Sequence, residues 1–281
     1  MKQLMELITA GFMVLLMACT ERVDIDLGMA GESKLVVFGE ITNQAKAHAV
    51  YLSRSTPYFQ NQPTPVVTGA TVSVSDGVKT VTLKEDPDHP GTYYTPASFA
   101  GKVGGSYQLS VRNIDVNDDG VSEAYEATTA MKKTLPLHGM AIYNSETRDG
   151  WDVAVYASEP GETKDYYLFR VYKNGILYSD TITNYRVYDD KLFNGKNIDG
   201  ASVQFFDREK GETLERGDVI VLEAAGITKE YYRFIDALKE ETGEKYPMFS
   251  GPPANLEGNI TNGALGFFAA MEVSRASITI K

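Results

Sequence analysis

The sequence has few cysteines, histidines and catalytic motifs, and each shortage narrows the range of functions. Its single cysteine, Cys19, excludes a disulfide within the chain, and lipidation of that thiol would exclude cysteine-dependent catalysis. The three histidines are scattered and lack the spacing of metal ligands. The signature motifs of serine hydrolases, P-loop nucleotidases, zinc proteases and thiol oxidoreductases are absent. We therefore predict that the protein is not an enzyme.

Positive charge is also scarce. Lysine and arginine number 27 against 38 aspartates and glutamates, which gives a formal net charge of −11. This balance, without any basic cluster, argues against binding to nucleic acid. The hydrophobic content of 43% is sufficient for packed cores, so we expect a folded chain of one large or two ordinary domains.

The hydrophobic run near the N-terminus is short. Residues 7–18 carry no charge, but a membrane-spanning helix needs about 20 residues. Polar sequence follows at once, which favours a secretory signal peptide over a buried core helix. The segment Leu16-Met17-Ala18-Cys19 resembles a lipobox, the cleavage signal of bacterial lipoproteins. We predict a signal peptide over residues 1–18 and lipidation of Cys19.

The residues that follow the predicted anchor are acidic. Lipoprotein cysteines carry several acyl chains, and each buried methylene contributes about 0.8 kcal/mol, so such an anchor holds firmly. Residues 19–33 would form a tether with Glu21, Asp24 and Asp26 close to the lipid. This tether resembles the surface-export signals of some Gram-negative lipoproteins, although an ordinary solvated linker would have a similar composition. We therefore expect an outer-membrane protein that faces the cell surface.

Residues 34–134 have the pattern of short strands separated by turns. Residues 71–75 and 78–83 alternate polar and apolar side chains on both sides of Asp76-Gly77, which predicts a two-residue hairpin. The region as a whole is typical of a small immunoglobulin-like or prealbumin-like sandwich. Its other predicted strands lie at residues 35–38, 50–52, 107–111 and 125–128.

Residues 135–281 predict a second, mainly β domain with one amphipathic helix. The helix is expected near residues 229–242, where Tyr231, Ile235 and Leu238 share one face and Thr228 can cap the start. The sequence Asn174-Gly175 predicts another hairpin. The predicted strands lie at residues 151–156, 166–172, 176–178, 203–206 and 219–222.

One acidic segment matches the pattern of a calcium-binding EF-hand loop. Asp115, Asn117 and Asp119 would supply the first oxygen ligands, a glycine follows, and Glu126 would complete the shell. Ser122 stands where such loops have an apolar residue, and the flanking segments read as strands. Because the same residue types are common in turns, we favour a solvated hairpin tip, with calcium binding as the alternative. Calcium is the one candidate cofactor, and if it binds we expect it to brace the hairpin.

Four stretches of the chain carry a family resemblance. They are VDIDL at 23–27 with LVVFGEI at 35–41, VYLSRSTPYF at 50–59, VTGATV at 67–72 with PGTY at 90–93, and GNITNGALGFF at 258–268. In this order they resemble the outer-membrane lipoproteins that hold the domain of unknown function numbered forty-two forty-nine. The acidic insertion between Val111 and Tyr125 departs from that family's pattern.

The resemblance implies a role in nutrient uptake. Such lipoproteins are usually associated with TonB-dependent outer-membrane transporters, and no catalytic residues are established that could be carried over. From this we expect a non-enzymatic accessory of a TonB-dependent barrel receptor. The alternatives are an adhesive or structural surface lipoprotein and an unrecognised peptide or glycan hydrolase.

Overall fold

A computed structural model of the protein describes residues 33–56, 64–178, 182–242 and 256–281. The predicted signal peptide, Cys19 and nearly all of the predicted tether lie outside these residues. Within them, no helix combines the length and the hydropathy that a membrane span requires. Strands dominate the described chain, which confirms the mainly β prediction.

The strands of the first half are short and closely spaced along the chain. They are β1 (Leu35–Thr42), β2 (Ala49–Arg54), β3 (Thr71–Ser75), β4 (Thr80–Thr82), β5 (Lys84–Glu85), β6 (Thr92–Tyr94), β7 (Ser106–Ile114) and β8 (Glu123–Ala130).

The second half adds longer strands and a helix. The strands are β9 (Leu137–Asn144), β10 (Gly150–Ser158), β11 (Tyr166–Lys173), β12 (Ile176–Leu177), β13 (Arg186–Asp189), β14 (Asn197–Asp207), β15 (Val219–Ile227) and β16 (Leu265–Thr279). Helix α1 (Lys229–Thr242) follows β15, and three 3-10 turns occur at Ile182–Asn184, Asp190–Leu192 and Arg208–Lys210.

The strands of the described residues form three sheets. The large sheet has the order β12-β11-β15-β16-β1-β2-β6-β5, with β13 also on β11. The other two sheets have the orders β4-β3-β7-β8 and β14-β10-β9. Strand β16 joins the halves of the large sheet, because residues 265–271 pair in parallel with β1 and residues 272–279 pair antiparallel with β15.

The four-stranded sheet packs on one face of the large sheet. Side chains alternate between the two faces of a strand, so β1 directs Leu35, Val37 and Ile41 to the same side. These residues share a core with Val72 of β3 and Leu109 of β7. The predicted N-terminal sandwich is therefore present. The predicted domain boundary after residue 134 falls between β8 and β9, while the large sheet includes strands from both sides of it.

The second half of the large sheet is covered on both faces. On the face shared with the sandwich, the three-stranded sheet packs Val153 and Phe206 against Phe169 of β11. On the opposite face, α1 packs Tyr231 and Ile235 against β16. We refer to this second side, which also carries the outward residues of β1 and β2, as the helix face.

Candidate binding site

A row of alternating charges crosses three strands on the helix face. Arg170 of β11 is opposite Glu223 of β15, which is in turn opposite Arg275 of β16. Arg275 donates to Glu223 Oε2 through Nε at 2.8 Å and Nη2 at 2.6 Å. The side chain of Glu223 is only 4% exposed. Cross-strand pairs of opposite charge stabilise a sheet, and this row places two such pairs side by side.

The central arginine links this row to the first strand. Arg170 Nη1 donates to Glu40 Oε2 of β1 at 2.7 Å, and its Nη2 lies 3.2 Å from the sulfur of Met271. The other oxygen of Glu40 accepts a hydrogen bond of 2.6 Å from the Tyr231 hydroxyl of α1. One buried network therefore connects β1, β11, β15, β16 and the helix. We call Glu40, Arg170, Glu223, Arg275 and Tyr231 the charge network.

Two members of this network, Arg170 and Tyr231, have raised pKa values. Burial alone would lower the pKa of Arg170, but the Glu40 and Glu223 carboxylates outweigh it and raise that pKa well above its usual value. Burial and the Glu40 charge also raise the pKa of Tyr231, so its hydroxyl stays protonated and donates. Both oxygens of Glu40 are engaged, which favours a structural role for this carboxylate.

A polar cavity of about 290 Å³ lies beside the charge network on the helix face. Strands β1, β2 and β6 contribute Phe38, Tyr51 and Tyr94 to its lining, and β11 contributes Tyr172. The Tyr51 side chain is 50% exposed. Tyrosine offers an apolar ring and a polar tip, so several tyrosines around a cavity suit a ligand that has both hydroxyl groups and apolar faces.

The loop between β1 and β2 closes the cavity with a histidine and a lysine. His48 is 2% exposed, and its Nε2 lies 3.1 Å from the carbonyl oxygen of Gln44. Burial and the nearby Lys46 charge lower the pKa of His48, so its ring is neutral at pH 7. Burial likewise lowers the pKa of Lys46, and this effect outweighs the opposing charge of Glu223. The arrangement can bind and orient a polar ligand.

The charge network was missed at the sequence level, although a signal for it exists. Arg170 interrupts the apolar and aromatic run at residues 166–172 of β11, and Glu223 interrupts the apolar run of β15. A charged residue inside a buried strand requires a partner of opposite sign. That partner could not be named, because Glu40 lies 130 residues away from Arg170 in the chain.

The predicted calcium ligands are only partly brought together. The loop between β7 and β8 holds Asp115, Asn117 and Asp119, and their side-chain oxygens accept hydrogen bonds from amides within the loop. The amide of Gly120 donates to Asp115 at 2.8 Å. Arg54 of β2 also reaches this loop and contacts the carbonyl oxygen of Asp115 at 2.9 Å.

The fourth predicted ligand points to other partners. Glu126 lies within β8, where its carboxylate accepts a hydrogen bond of 3.1 Å from Gln108 and pairs with Arg112 at 3.4 Å. The backbone amide of Glu126 donates a hydrogen bond of 2.8 Å to the Thr261 hydroxyl. Calcium binding at Asp115, Asn117, Asp119 and Glu126 stays a prediction.

A second acidic group was not anticipated from the sequence. Glu159, Asp165 and Asp190 each place a carboxylate oxygen within 4.8 Å of the others. Donors from the protein surround them: the Tyr167 hydroxyl lies 3.1 Å from Glu159, and the Asn194 amide lies 2.9 Å from Asp190. Burial, with the charges of Asp165 and Glu159, raises the pKa of Tyr167 and keeps this donor protonated. The group comes from three separate segments, so no local spacing predicts it.

The fold is mainly β, and its long strand β16 pairs with strands from both halves of the large sheet. A family model described as Domain of unknown function (DUF4249) matches residues 20–277. The match covers most of the chain, and the protein belongs to this family, which confirms the resemblance noted in the sequence. A comparison with curated proteins finds no match.

Proposed function

We propose that this protein is a lipid-anchored accessory of a TonB-dependent nutrient-uptake system at the outer membrane. Its role would be to bind a nutrient or to gate the barrel receptor, without catalysis. The lipobox-like segment that ends at Cys19 supports the anchor, and membership of the family is consistent with the proposed association.

The observation that carries the binding role is the polar cavity on the helix face. Its tyrosines remain partly accessible, while Arg170 is already paired with Glu40 and Arg275 with Glu223. A ligand can therefore bind there without first breaking an ion pair. Confinement by the anchor would raise the effective concentration beside a transporter, so a weak contact with the barrel would suffice.

The partner is tested by isolating the lipidated protein from gently solubilised outer membranes and identifying the proteins that accompany it. A stoichiometric TonB-dependent barrel is the expected result. Recovery of the lipoprotein without any barrel would overturn the proposal and favour the adhesive alternative. Turnover of pooled peptides or glycans by the purified protein would favour the hydrolase instead.

The anchor is tested separately by fractionating cells that produce Cys19→Ser. The unchanged protein should remain in the membrane fraction, whereas the variant should leave it. Full retention of the variant in the outer membrane would contradict lipidation at Cys19. Tyr51→Ala leaves the anchor intact. It therefore serves as the control and should fractionate like the unchanged protein.

A further inference from the structure

The large sheet bends toward its helix face around the polar cavity. Tyr172 of β11 and Tyr94 of β6 both line this cavity, although their strands lie five positions apart in the sheet. In a flat sheet, five spacings of about 4.8 Å would separate these strands by about 24 Å. The cavity, at about 290 Å³, is far narrower than that distance. It therefore has two walls, one from β11 and one from β1, β2 and β6.

The second wall is a continuous aromatic patch. Phe38 of β1 is directly opposite Tyr51 of β2, and Tyr94 of β6 is opposite Ala49, two residues before Tyr51. Alternate residues of a strand share a face, and directly opposite side chains have Cβ atoms about 5 Å apart. The three rings are thus neighbours on the helix face. We call Phe38, Tyr51 and Tyr94 the aromatic wall.

Charged side chains form the floor of the cavity. Glu40, Arg170 and Glu223 all line it, and each side chain is at most 18% exposed. Within the charge network, the two carboxylates are balanced by the two arginines. A carboxylate offers about four acceptor positions, so Glu40 keeps acceptor capacity beside the hydrogen bonds from Arg170 and Tyr231. The floor therefore suits hydroxyl groups and does not require an ionic ligand.

The combination of aromatic walls and a polar floor selects among ligand classes. A hydrocarbon chain would cover the rings but leave the charged floor without hydrogen bonds, which is costly. An open-chain polyol would match the floor but leave the rings without an apolar surface to contact. A pyranose ring satisfies both, because its C–H groups form two apolar faces and its hydroxyls project from the edge.

We propose that the polar cavity binds a saccharide, with one pyranose ring packed on the aromatic wall and its hydroxyl groups directed to the charged floor. This names the ligand class of the proposed binding role and therefore rests on it. Ligand pockets begin at about 300 Å³, so the cavity accommodates a single sugar ring or the terminal unit of a longer glycan.

Binding is tested by calorimetric titration of the full chain with methyl glycosides of glucose, galactose, mannose, xylose and N-acetylglucosamine, and with maltose and cellobiose. At least one sugar should bind with a dissociation constant below about 1 mM. Mannitol supplies hydroxyls without a ring, and cyclohexanol supplies a ring with a single hydroxyl. No binding by any sugar at about 10 mM would overturn the inference, as would mannitol or cyclohexanol binding as tightly as the best sugar.

The binding mode is tested at Tyr51, whose half-exposed side chain can be replaced without opening the core. Tyr51→Ala removes one ring of the aromatic wall and should weaken binding roughly tenfold, which corresponds to about 1.4 kcal/mol. Tyr51→Phe keeps the ring and should retain most of the affinity. Tyr143→Ala, at a similarly exposed tyrosine of β9 outside the cavity, is the matched control and should bind like the unchanged protein. Equal losses from Tyr51→Ala and Tyr143→Ala would reject this site.

This titration and the isolation of partners from outer membranes fail independently. A barrel partner without saccharide binding would reject the ligand class alone. Saccharide binding without a barrel partner would reject the uptake role and leave the binding site in place.

Discussion

Removal of the central arginine provides the sharpest test of the charge network. Arg170→Met would leave a side chain of similar length but no charge between Glu40 and Glu223. Glu223 would keep Arg275, whereas Glu40 would retain only the Tyr231 hydroxyl. Breaking a buried ion pair by removing one partner typically costs about 3–5 kcal/mol, because the remaining charge is left without compensation. We expect a loss of stability in this range.

Urea unfolding of the full chain, followed by far-ultraviolet circular dichroism, measures this loss. The midpoint should fall while the slope stays constant, which assigns the change to stability and not to a different unfolded state. The exposed pair of Arg112 with Glu126 provides the control, and Arg112→Met should cost at most about 1 kcal/mol.

The double variant Arg170→Met/Glu40→Gln should recover part of the loss, because it removes the uncompensated carboxylate as well. A cost below about 1 kcal/mol for Arg170→Met would refute the argument that this network holds the two halves of the large sheet together.

Three further predictions concern other parts of the fold. Since the pKa of His48 lies below its unfolded value of about 6.5, its contribution to stability is complete above that pH and is lost as the pH falls through the folded-state pKa. His48→Gln should therefore flatten the fall of the urea midpoint below about pH 6.5, and an unchanged pH profile would contradict this. Gly266→Ala should lower the free energy of unfolding by more than about 3 kcal/mol, because the φ of Gly266 is +96° and a Cβ would collide with the backbone of β1. Gly263 has a φ of +71° but open space around it, so Gly263→Ala should lower the free energy by only about 1 kcal/mol in the same urea titration. If the predicted ligands bind calcium, millimolar calcium should raise the melting temperature, and Asp115→Ala with Glu126→Ala should abolish that rise. No shift would exclude the site and leave a solvated hairpin tip.

Local features of the fold could be predicted because their signals are local. Asn174-Gly175 connects β11 and β12 as the predicted two-residue turn. A hairpin also forms at Asp76-Gly77, but residues 76–79 separate β3 from β4, so the predicted turn length was wrong there. Helix α1 spans Lys229–Thr242 as expected, and the Thr228 hydroxyl accepts a hydrogen bond of 3.2 Å from the Tyr231 amide. Turn residues, alternation and caps act over a few residues, so one sequence suffices to recognise them.

Pairings between distant segments could not be predicted in the same way. Nothing local in β16 indicates that its first half pairs with β1 and its second half with β15. The charge network depends on that pairing, because it requires Glu40 and Arg275 to lie on the same sheet face. Sites of this kind depend on the order in which the strands pair, and residue spacing along the chain does not reveal that order.

The shared strand β16 also has a consequence for how the chain must acquire its fold. Asn43, just after β1, accepts a hydrogen bond from the amide of Val273, which lies 230 residues further along the chain. Strand β1 therefore cannot complete its pairing until β16 has been synthesised and has reached the edge of β1. Contacts of such long sequence separation slow folding and leave strand edges open for longer. If the chain is exported as proposed, this delay would help to keep the chain unfolded while it passes through the inner membrane. After export, the unpaired edge of β1 would be a segment that a periplasmic chaperone could bind.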